Sequence, residues 1–336
     1  MLCPILFYYQ SKWFQFETEL FIVSNMKNRK ILIILYILLL IAGSLFFLAG
    51  FDYYSPRSYK RIWDQGHVFF YTILCVILLQ SWNFIRNKNC PGQLFWLSLI
   101  TILSGSLVEL IQIKFARLTE LGDLWRDFLG CLLGWSFFSD SCKKISAKYL
   151  WAIRLAVILL LIIELVSPFN AVLDEIIAKR QFPVLARFET RLEIERWESE
   201  RPPVRTSEQV YEGKYACKFT LTTEQYSGFT LKYFPGNWKE YDKLHFALFN
   251  PLSAPLALTC RIHDWQHIQN REPYQDRFNK RLLLQPGWNS FQISLQEVEN
   301  APQNRSMDLR RIKNLCIFAA RLSEPVEIFI DDVRLN

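Results

Sequence analysis

Hydrophobic and polar positions follow two different patterns along the chain. The stretch from Lys30 to Phe51 has some twenty apolar residues and, after Lys30 itself, no charge. That is the length a helix needs to cross roughly 30 Å of hydrocarbon at about 1.5 Å per residue. Four further apolar stretches lie at about 67–84, 94–113, 124–138 and 150–166. We therefore predict a multi-pass α-helical membrane bundle with about five transmembrane helices.

Beyond Phe188 the apolar residues alternate with polar ones, as in strands that bury one face. The alternating runs are 215–221, 244–249, 256–262, 288–295 and 326–335, and turn signals such as Asn-Pro and Pro-Gly separate them. This pattern predicts an all-β jelly-roll sandwich. The expected organisation is an N-terminal segment (1–29), a membrane domain (30–140), an inner loop and fifth helix (141–168), a linker (169–186) and a sandwich (187–336).

Charge and cysteine usage narrow the possible classes. Up to Ser167 the chain has 16 basic and 10 acidic residues, and the remainder has 23 and 22. The basic excess thus lies in the apolar half, where it orients helices and requires no nucleic-acid partner. The eight cysteines are scattered, with no C-x-x-C pair. This spacing argues against a disulfide scaffold or a zinc module.

The basic residues also predict a topology. Eight of them lie in the segments on one face of the five-helix arrangement, and five lie on the other. We expect a bacterial inner-membrane protein with a cytoplasmic N-terminus and an extracytoplasmic sandwich. The sequence Met-Lys-Asn-Arg-Lys from Met26 looks like a translation start, which would make residues 1–25 a mis-annotated extension. An interfacial helix is the competing interpretation of that segment.

Ionisable residues near membrane helices are the most informative feature of the first half. They fall at helical spacings, at the ends of helices that the predicted topology places on the outer face. This polar set comprises Asp64, His67, Tyr71, Glu109, Gln112, Arg117, Asp123 and Asp127. Gly130 and Gly134 follow Asp123 and Asp127 on the same helical stripe, at positions that allow a neighbouring helix to approach closely.

Two interpretations of the polar set stay open. His67 or Glu109 could act as a general base, with Arg117 as an anion clamp supported by Lys114 or Arg126. In the other interpretation the aspartates cap helix N-termini and pair with the arginines. Glu164, in the fifth helix, is interpreted as snorkelling to the interface.

The same residues resemble the VanZ-like membrane family. The resemblance rests on Asp64-Gln-Gly-His67-Val-Phe-Phe-Tyr71, Glu109-Leu-Ile-Gln112, Arg117 and Asp123-Leu-Trp-Arg-Asp127-Phe-Leu-Gly130, followed by Gly134. It covers about residues 30–140. Gln65 and Asp127 depart from the Lys and Asn that are usual in the family. The resemblance implies a multi-pass membrane protein of a family named for a glycopeptide (teicoplanin) resistance gene.

The second half resembles the galactose-binding-like sandwich of carbohydrate-binding modules. The resemblance rests on Phe188-Glu189, Glu212-Gly213-Lys-Tyr-Ala, Gln285-Pro-Gly-Trp288-Asn and Ile330-Asp331-Asp332. In such modules the opening Glu and closing Asp often hold a structural Ca²⁺, which implies Glu189 and Asp331 as metal ligands. Solvated turn acids are the alternative.

Sugar binding also needs an aromatic face and hydrogen-bonding groups. The candidate ligand-binding residues cluster in or beside predicted loops, and they are Trp238, His263, Asp264, Trp265 and His267. If the segment that contains the last four continues a strand, at least one of its aromatic residues belongs to the core.

Three functions fit these features. The first is an envelope protein whose sandwich binds a glycan or envelope polymer, linked to glycopeptide resistance or envelope maintenance, with membrane lipid as the other partner. The second is an enzyme that acts on a lipid-linked or amphiphilic substrate at the outer interface. The third is a scaffold whose polar set only stabilises the bundle.

Overall fold

The computed structural model describes residues 29–45, 53–113 and 121–336. Their contacts divide them into two compact units. The first unit contains the described residues of 29–45 and 60–167, and the second contains 53–59 and 168–336. The proposed start at Met26 lies outside the described residues.

The first unit is helical. Residues 29–45 form α1. The later helices are α2 (Arg57–Ser81), α3 (Asn83–Arg86), α4 (Cys90–Ile113), α5 (Leu121–Phe138) and α6 (Ala147–Gln181). Among the described residues, three segments are long and apolar enough to cross a membrane: Arg57–Ser81, Cys90–Val108 and Ala147–Gln181. The helical region is confirmed, whereas the prediction of five crossings is not.

Two glycines on α5 allow close helix packing. A Cβ atom on Gly130 would collide with the carbonyl oxygen of Val68 in α2. A Cβ atom on Gly134 would lie 2.7 Å from the Cβ of Cys75, which is about two helical turns beyond Val68 on α2. The predicted role of this glycine stripe is therefore confirmed for the α2–α5 contact.

Helix α6 is longer than the fifth apolar stretch predicts. It continues through Pro168 to Gln181, so most of the expected linker 169–186 is helical. Proline removes one backbone donor but does not end the helix here. From Pro168 onward the helix belongs to the second unit, where the strand β1 (Val184–Ala186) follows it.

The second unit is an antiparallel sandwich, as predicted. After β1 the strands are β2 (Trp197–Ser199), β3 (Val204–Thr206), β4 (Ala216–Leu221), β5 (Tyr226–Leu231), β6 (Lys243–Asn250), β7 (Leu256–Asp264), β8 (Phe278–Leu284), β9 (Gly287–Ser294), β10 (Ile312–Ala320) and β11 (Val326–Leu335). Sheet A has the order β3-β4-β11-β6-β9, with β1 also paired to β11, and sheet B has the order β2-β5-β10-β7-β8. Two short helices are α7 (Trp265–Gln269) and α8 (Leu295–Glu299).

Strand alternation builds the core between the sheets. Leu244, Phe246 and Leu248 of β6 point into it, together with apolar residues of every long strand. Because successive side chains of a strand face opposite sides, His245 and Phe249 lie on the outer face of sheet A. The core therefore determines which side chains sheet A presents outward.

Candidate functional site

In the first unit the structure brings part of the predicted polar set together. His67 on α2 lies with its Nδ1 atom 2.8 Å from Oδ1 of Asp127 on α5. Its Nε2 atom lies 3.8 Å from Oδ2 of Asp123. One buried imidazole is thus placed between two carboxylates, which neither helix capping nor the α5 sequence alone would produce.

Arg126 does not support an anion clamp. Its Nη1 atom lies 2.6 Å from Asp123, and its Nε atom lies 2.8 Å from Glu164 on α6. Glu164 therefore pairs with an arginine inside the unit and does not snorkel. With two carboxylates bound, the Arg126 guanidinium serves the internal network.

For the other members of the polar set the structure gives fewer contacts. Tyr71 makes a hydrogen bond of 3.2 Å with Ser104 of α4, a residue that the sequence analysis missed. Asp64 is near enough to Arg126 to interact with its charge. Glu109 and Gln112 lie in the last two turns of α4, but their side chains, like the whole of Arg117, lie outside the described part of the chain.

In the second unit, Trp238 is a core residue. Its side chain is completely buried, and its Nε1 atom donates a hydrogen bond to Pro235. A ring that packs on all sides cannot stack on a sugar, so the predicted binding role of Trp238 is wrong.

The predicted His-Asp-Trp-His cluster spans the end of strand β7 and the start of helix α7. This position gives most of its side chains a structural role. Asp264 is fully buried, caps α7 through the amide of His267 and binds Arg305 with two hydrogen bonds of 2.6 and 2.8 Å. His263 and His267 are buried, with ring centroids 4.7 Å apart. Three of the four side chains are therefore structural, and only Trp265 retains an accessible surface.

Glu189 and Asp331 bind backbone amides. Oε1 of Glu189 accepts hydrogen bonds from Lys214 and Tyr215. Oδ2 of Asp331 accepts them from Tyr211 and Glu212, and Oδ1 accepts one from Asp332. Burial raises the pKa of Asp331 to about 6, although these amides act in the opposite direction.

These contacts give the two acids a structural role, because together they hold the loop 211–215. Amide protons on the carboxylate oxygens compete with any cation for the same lone pairs. Within the described residues, no group of three or more His, Cys, Asp or Glu side chains is arranged to hold a metal ion. The backbone amides therefore account for the positions of both carboxylates, and the calcium site stays a prediction.

A row of aromatic rings crosses the outer face of sheet A. The centroid of Tyr211 lies 5.3 Å from that of Trp288 on β9, and Trp288 lies 5.4 Å from Phe249 on β6. Phe249 in turn lies 5.7 Å from Phe329 on β11. Tyr211 is 42% exposed, whereas Phe329 is 5% exposed, so the accessible part of the row is the Tyr211–Trp288 end.

Polar side chains border this end of the row. The Nε2 atom of His245 lies 3.0 Å from Oδ2 of the fully buried Asp332, and the ring of His245 lies 6.3 Å from that of Tyr211. Arg334 binds both Asp332 and Glu212. Burial lowers the pKa of His245 below its ordinary value, so the imidazole is neutral at neutral pH.

A β-bulge determines the position of Asp332. The pairing of β11 with β6 shifts between Asp331 and Arg334, and Asp332 has a φ of +51°. Aspartate tolerates this left-handed conformation better than most residues. The bulge thus turns the Asp332 carboxylate toward His245, an arrangement that no alternation pattern would indicate.

No family model and no curated protein matches the chain. The VanZ-like resemblance therefore rests on the residues quoted above and on no family match. Among solved structures, the chain is similar to a family 11 carbohydrate-binding module from Clostridium thermocellum in complex with a β-1,3-1,4-mixed-linked tetrasaccharide. The identity is 15%, the TM-score is 0.34, and the match covers 45% of this chain and 93% of that one.

Two other similar structures each cover 46% of this chain. A non-crystalline-cellulose-specific carbohydrate-binding module is 12% identical, with a TM-score of 0.32 and 93% of its own chain covered. An exo-β-agarase is 13% identical, with a TM-score of 0.36 and 24% of its own chain covered. The C-terminal sandwich thus resembles carbohydrate-binding modules in structure.

Proposed function

We propose that this chain is a membrane-anchored glycan-binding protein of the bacterial cell envelope. The observation that carries the proposal is the ring row on sheet A, whose accessible end is Tyr211 and Trp288. A sugar presents C–H groups on its faces and hydroxyls on its rim. Aromatic rings bind the first, and polar side chains bind the second.

The polar border supplies hydrogen-bonding groups of both kinds. Arg334 is a donor, Glu212 is an acceptor, and the neutral His245 can be either. Because Asp332 pairs with Arg334 and lies 3.0 Å from Nε2 of His245, these groups lie close together before a ligand arrives. Preorganisation of this kind lowers the entropy lost on binding.

The anchoring part of the proposal rests on the surface of the first unit. Helix α6 exposes a long series of large apolar side chains, among them Leu155, Ile158, Ile162 and Val166. Water would penalise such a surface, whereas lipid would not. We propose the bacterial inner membrane as the location, with the sandwich on the extracytoplasmic side.

Binding can be tested on the full chain purified in a non-ionic detergent. Calorimetry against β-glucans, peptidoglycan fragments and lipopolysaccharide sugars is expected to identify at least one ligand. Trp288→Ala and Tyr211→Ala are each expected to weaken that binding about tenfold or more, since stacking is lost. Tyr226→Ala is the matched control, because Tyr226 is a 61% exposed tyrosine on sheet B. Equal binding by all three variants would contradict the proposal.

The topology has its own test. Alkaline phosphatase is active only outside the cytoplasm, so a fusion after residue 182 is expected to be active and one after residue 145 inactive. The opposite result would place the sandwich inside and remove the envelope glycan as its ligand.

A second candidate function is an enzyme for a lipid-linked substrate. The observation that favours it is the 2.8 Å contact between His67 and Asp127, because a carboxylate that orients an imidazole is an arrangement used in proton transfer. His67→Ala and Asp127→Asn would then abolish a cellular phenotype such as altered teicoplanin susceptibility at unchanged protein abundance. Reduced abundance would instead indicate the scaffold role.

A further inference from the structure

We infer that the second unit also contains a binding site for a phosphate-bearing ligand, separate from the ring row. The site is a cavity of about 620 Å³. Its walls come from residues 54–57, the last turns of α6, the loop 232–237, Trp265 and residues 310–313. None of the four residues of the ring row lines this cavity, so the two sites can be tested independently.

The cavity has a strong excess of positive charge. The basic residues that line it are Arg57, Lys179, Lys232, Arg310, Arg311 and Lys313. The two acidic residues that line it, Asp174 and Glu175, already have partners. Asp174 is bound by Arg57 and Arg196, and Glu175 accepts hydrogen bonds of 2.8 and 2.7 Å from the amide and hydroxyl of Ser58.

Four of these cations form no ion pair within the described part of the chain. They are Lys179, Arg310, Arg311 and Lys313. Like charges so close together repel each other, and an anion between them would relieve that repulsion. The cavity is therefore more favourable for an anionic ligand than for a neutral sugar.

Arg57 adds a buried donor to the cavity. It is 5% exposed, and its Nε atom has no hydrogen-bond partner among the described residues. Its Nη1 atom lies 3.2 Å from Glu195 but lacks hydrogen-bond geometry. A buried guanidinium nitrogen without a partner is unfavourable unless a ligand oxygen accepts from it.

The walls of the cavity are held in place by the fold. The amide of Ile312 donates to the carbonyl of Gly236 at 2.9 Å, and the amide of Trp238 donates to Leu309 at 2.7 Å. Lys313 lies over the ring of Trp265, with Nζ 5.2 Å from its centroid. The loop and the basic segment 310–313 are thus tied together before any ligand binds.

Phosphate suits this site better than a single carboxylate does. A phosphate monoester has a charge of about −1.5 to −2 and three acceptor oxygens, and arginine binds such oxygens in pairs. The volume also exceeds that of one inorganic ion, leaving room for the group that the phosphate is attached to. Aromatic rings of Tyr54 and Tyr233 line that remaining space.

The phosphate could belong to a lipid headgroup or to a soluble sugar phosphate. Exposed apolar residues on α6 continue past Pro168 through Phe169, Val172 and Ile176. They reach the same turns of the helix that line the cavity with Glu175 and Lys179. A lipid-contacting face beside an anion site favours a headgroup.

The test uses the full chain and defined probes. Calorimetry in detergent would measure the binding of glucose 1-phosphate and of inorganic phosphate. Reconstitution into phosphatidylcholine nanodiscs with and without phosphatidic acid would measure binding of the lipid headgroup. The double variant R310A/R311A is expected to lose about tenfold or more in affinity. R201A/R281A removes two exposed arginines elsewhere in the sandwich and is expected to change nothing.

The outcomes separate cleanly. Binding to phosphatidic acid alone supports a headgroup site, and binding to the soluble phosphates supports a sugar-phosphate site. No binding by the unmodified chain, or equal loss in both double variants, overturns the inference. Because Trp288→Ala leaves the cavity intact, it is expected to keep phosphate binding even where it abolishes glycan binding.

Discussion

Asp174 near the end of α6 forms a buried ion pair with Arg196, whose Nε and Nη2 atoms lie 3.0 and 2.8 Å from its Oδ1 atom. Arg57 binds the other oxygen at 3.2 Å. All three side chains are buried. This contact attaches the last turns of α6 to the sandwich and neutralises cations that would otherwise be buried alone.

Removal of this carboxylate is expected to destabilise the sandwich strongly. Asp174→Ala leaves the buried Arg196 without a counter-ion and Arg57 with only the exposed Glu195, which typically lowers the free energy of unfolding by about 3–5 kcal/mol. Urea unfolding followed by tryptophan fluorescence would measure it. Glu195→Ala is the control, since that carboxylate also lies near Arg57 but is 52% exposed, and a change of at most about 1 kcal/mol is expected. Similar losses in both variants would contradict this account.

The buried His263 makes stability depend on pH. Burial lowers its pKa to about 3, and the nearby His267, Arg261 and Arg277 act in the same direction. In the unfolded chain the pKa is about 6.5. Between these values the unfolded chain binds a proton that the folded chain does not, so stability falls as the pH falls below about 6.5.

The contribution of His263 can be separated by comparison with His263→Gln. From about pH 7.5 to about pH 5, the free energy of unfolding of the unmodified chain, measured with urea, is expected to fall more than that of the variant, by up to about 1.4 kcal/mol per pH unit. Asp331, whose raised pKa of about 6 has the opposite effect, is present in both and cancels. Parallel pH profiles would show that His263 has the same pKa in the folded and unfolded states, which would contradict this account.

Short-range patterns predict what each strand buries but not which strands meet. Alternation places Leu244 and Phe246 inward and His245 outward, and the structure agrees. The ring row needs Trp288 opposite Phe249, a pairing of β9 with β6 across some forty residues. Loop closure over that distance leaves no local signature in the sequence.

The predicted binding cluster on β7 and α7 shows that residue type can also mislead. His263, Asp264 and His267 are the residue types used in binding sites, yet the chain uses them to end β7 and begin α7. The same carboxylate that could bind a sugar also caps a helix and pairs with Arg305. Residue type alone does not distinguish these roles, because the distinction depends on Arg305, about forty positions away.

Close packing of α5 on α2 depends on Gly130. In Gly130→Ala the new methyl group would meet the backbone of Val68, which cannot move aside, and the Cβ of Tyr71 at 3.0 Å. We expect a loss of about 1–3 kcal/mol, seen as a lower melting temperature in detergent. In Gly43→Ala the nearest atom is Cε2 of Phe70 at 3.4 Å, an ordinary van der Waals distance. This control should retain its melting temperature, and an equal loss there would contradict the packing argument.

Cys90 and Cys142 are placed to form a disulfide bond. Their Sγ atoms lie 2.6 Å apart, and both side chains are buried at the start of α4 and in the turn after α5. Proximity makes this pair the preferred product when an oxidant such as diamide removes two electrons and two protons from the thiols. The predicted topology places the pair near the cytoplasmic face, where thiols stay reduced in the cell.

Treatment of the purified chain with diamide, followed by digestion and mass spectrometry, is expected to give one peptide that joins Cys90 to Cys142. Cys90→Ser should abolish it, and Cys217→Ser should leave it unchanged, because Cys217 is buried in the separate sandwich unit. If both thiols are instead alkylated in full after diamide and unfolding, the two sulfur atoms do not approach as the structure places them. Formation of the bond would in turn fix the start of α4 against the turn after α5, and the melting temperature of the oxidised chain is expected to rise.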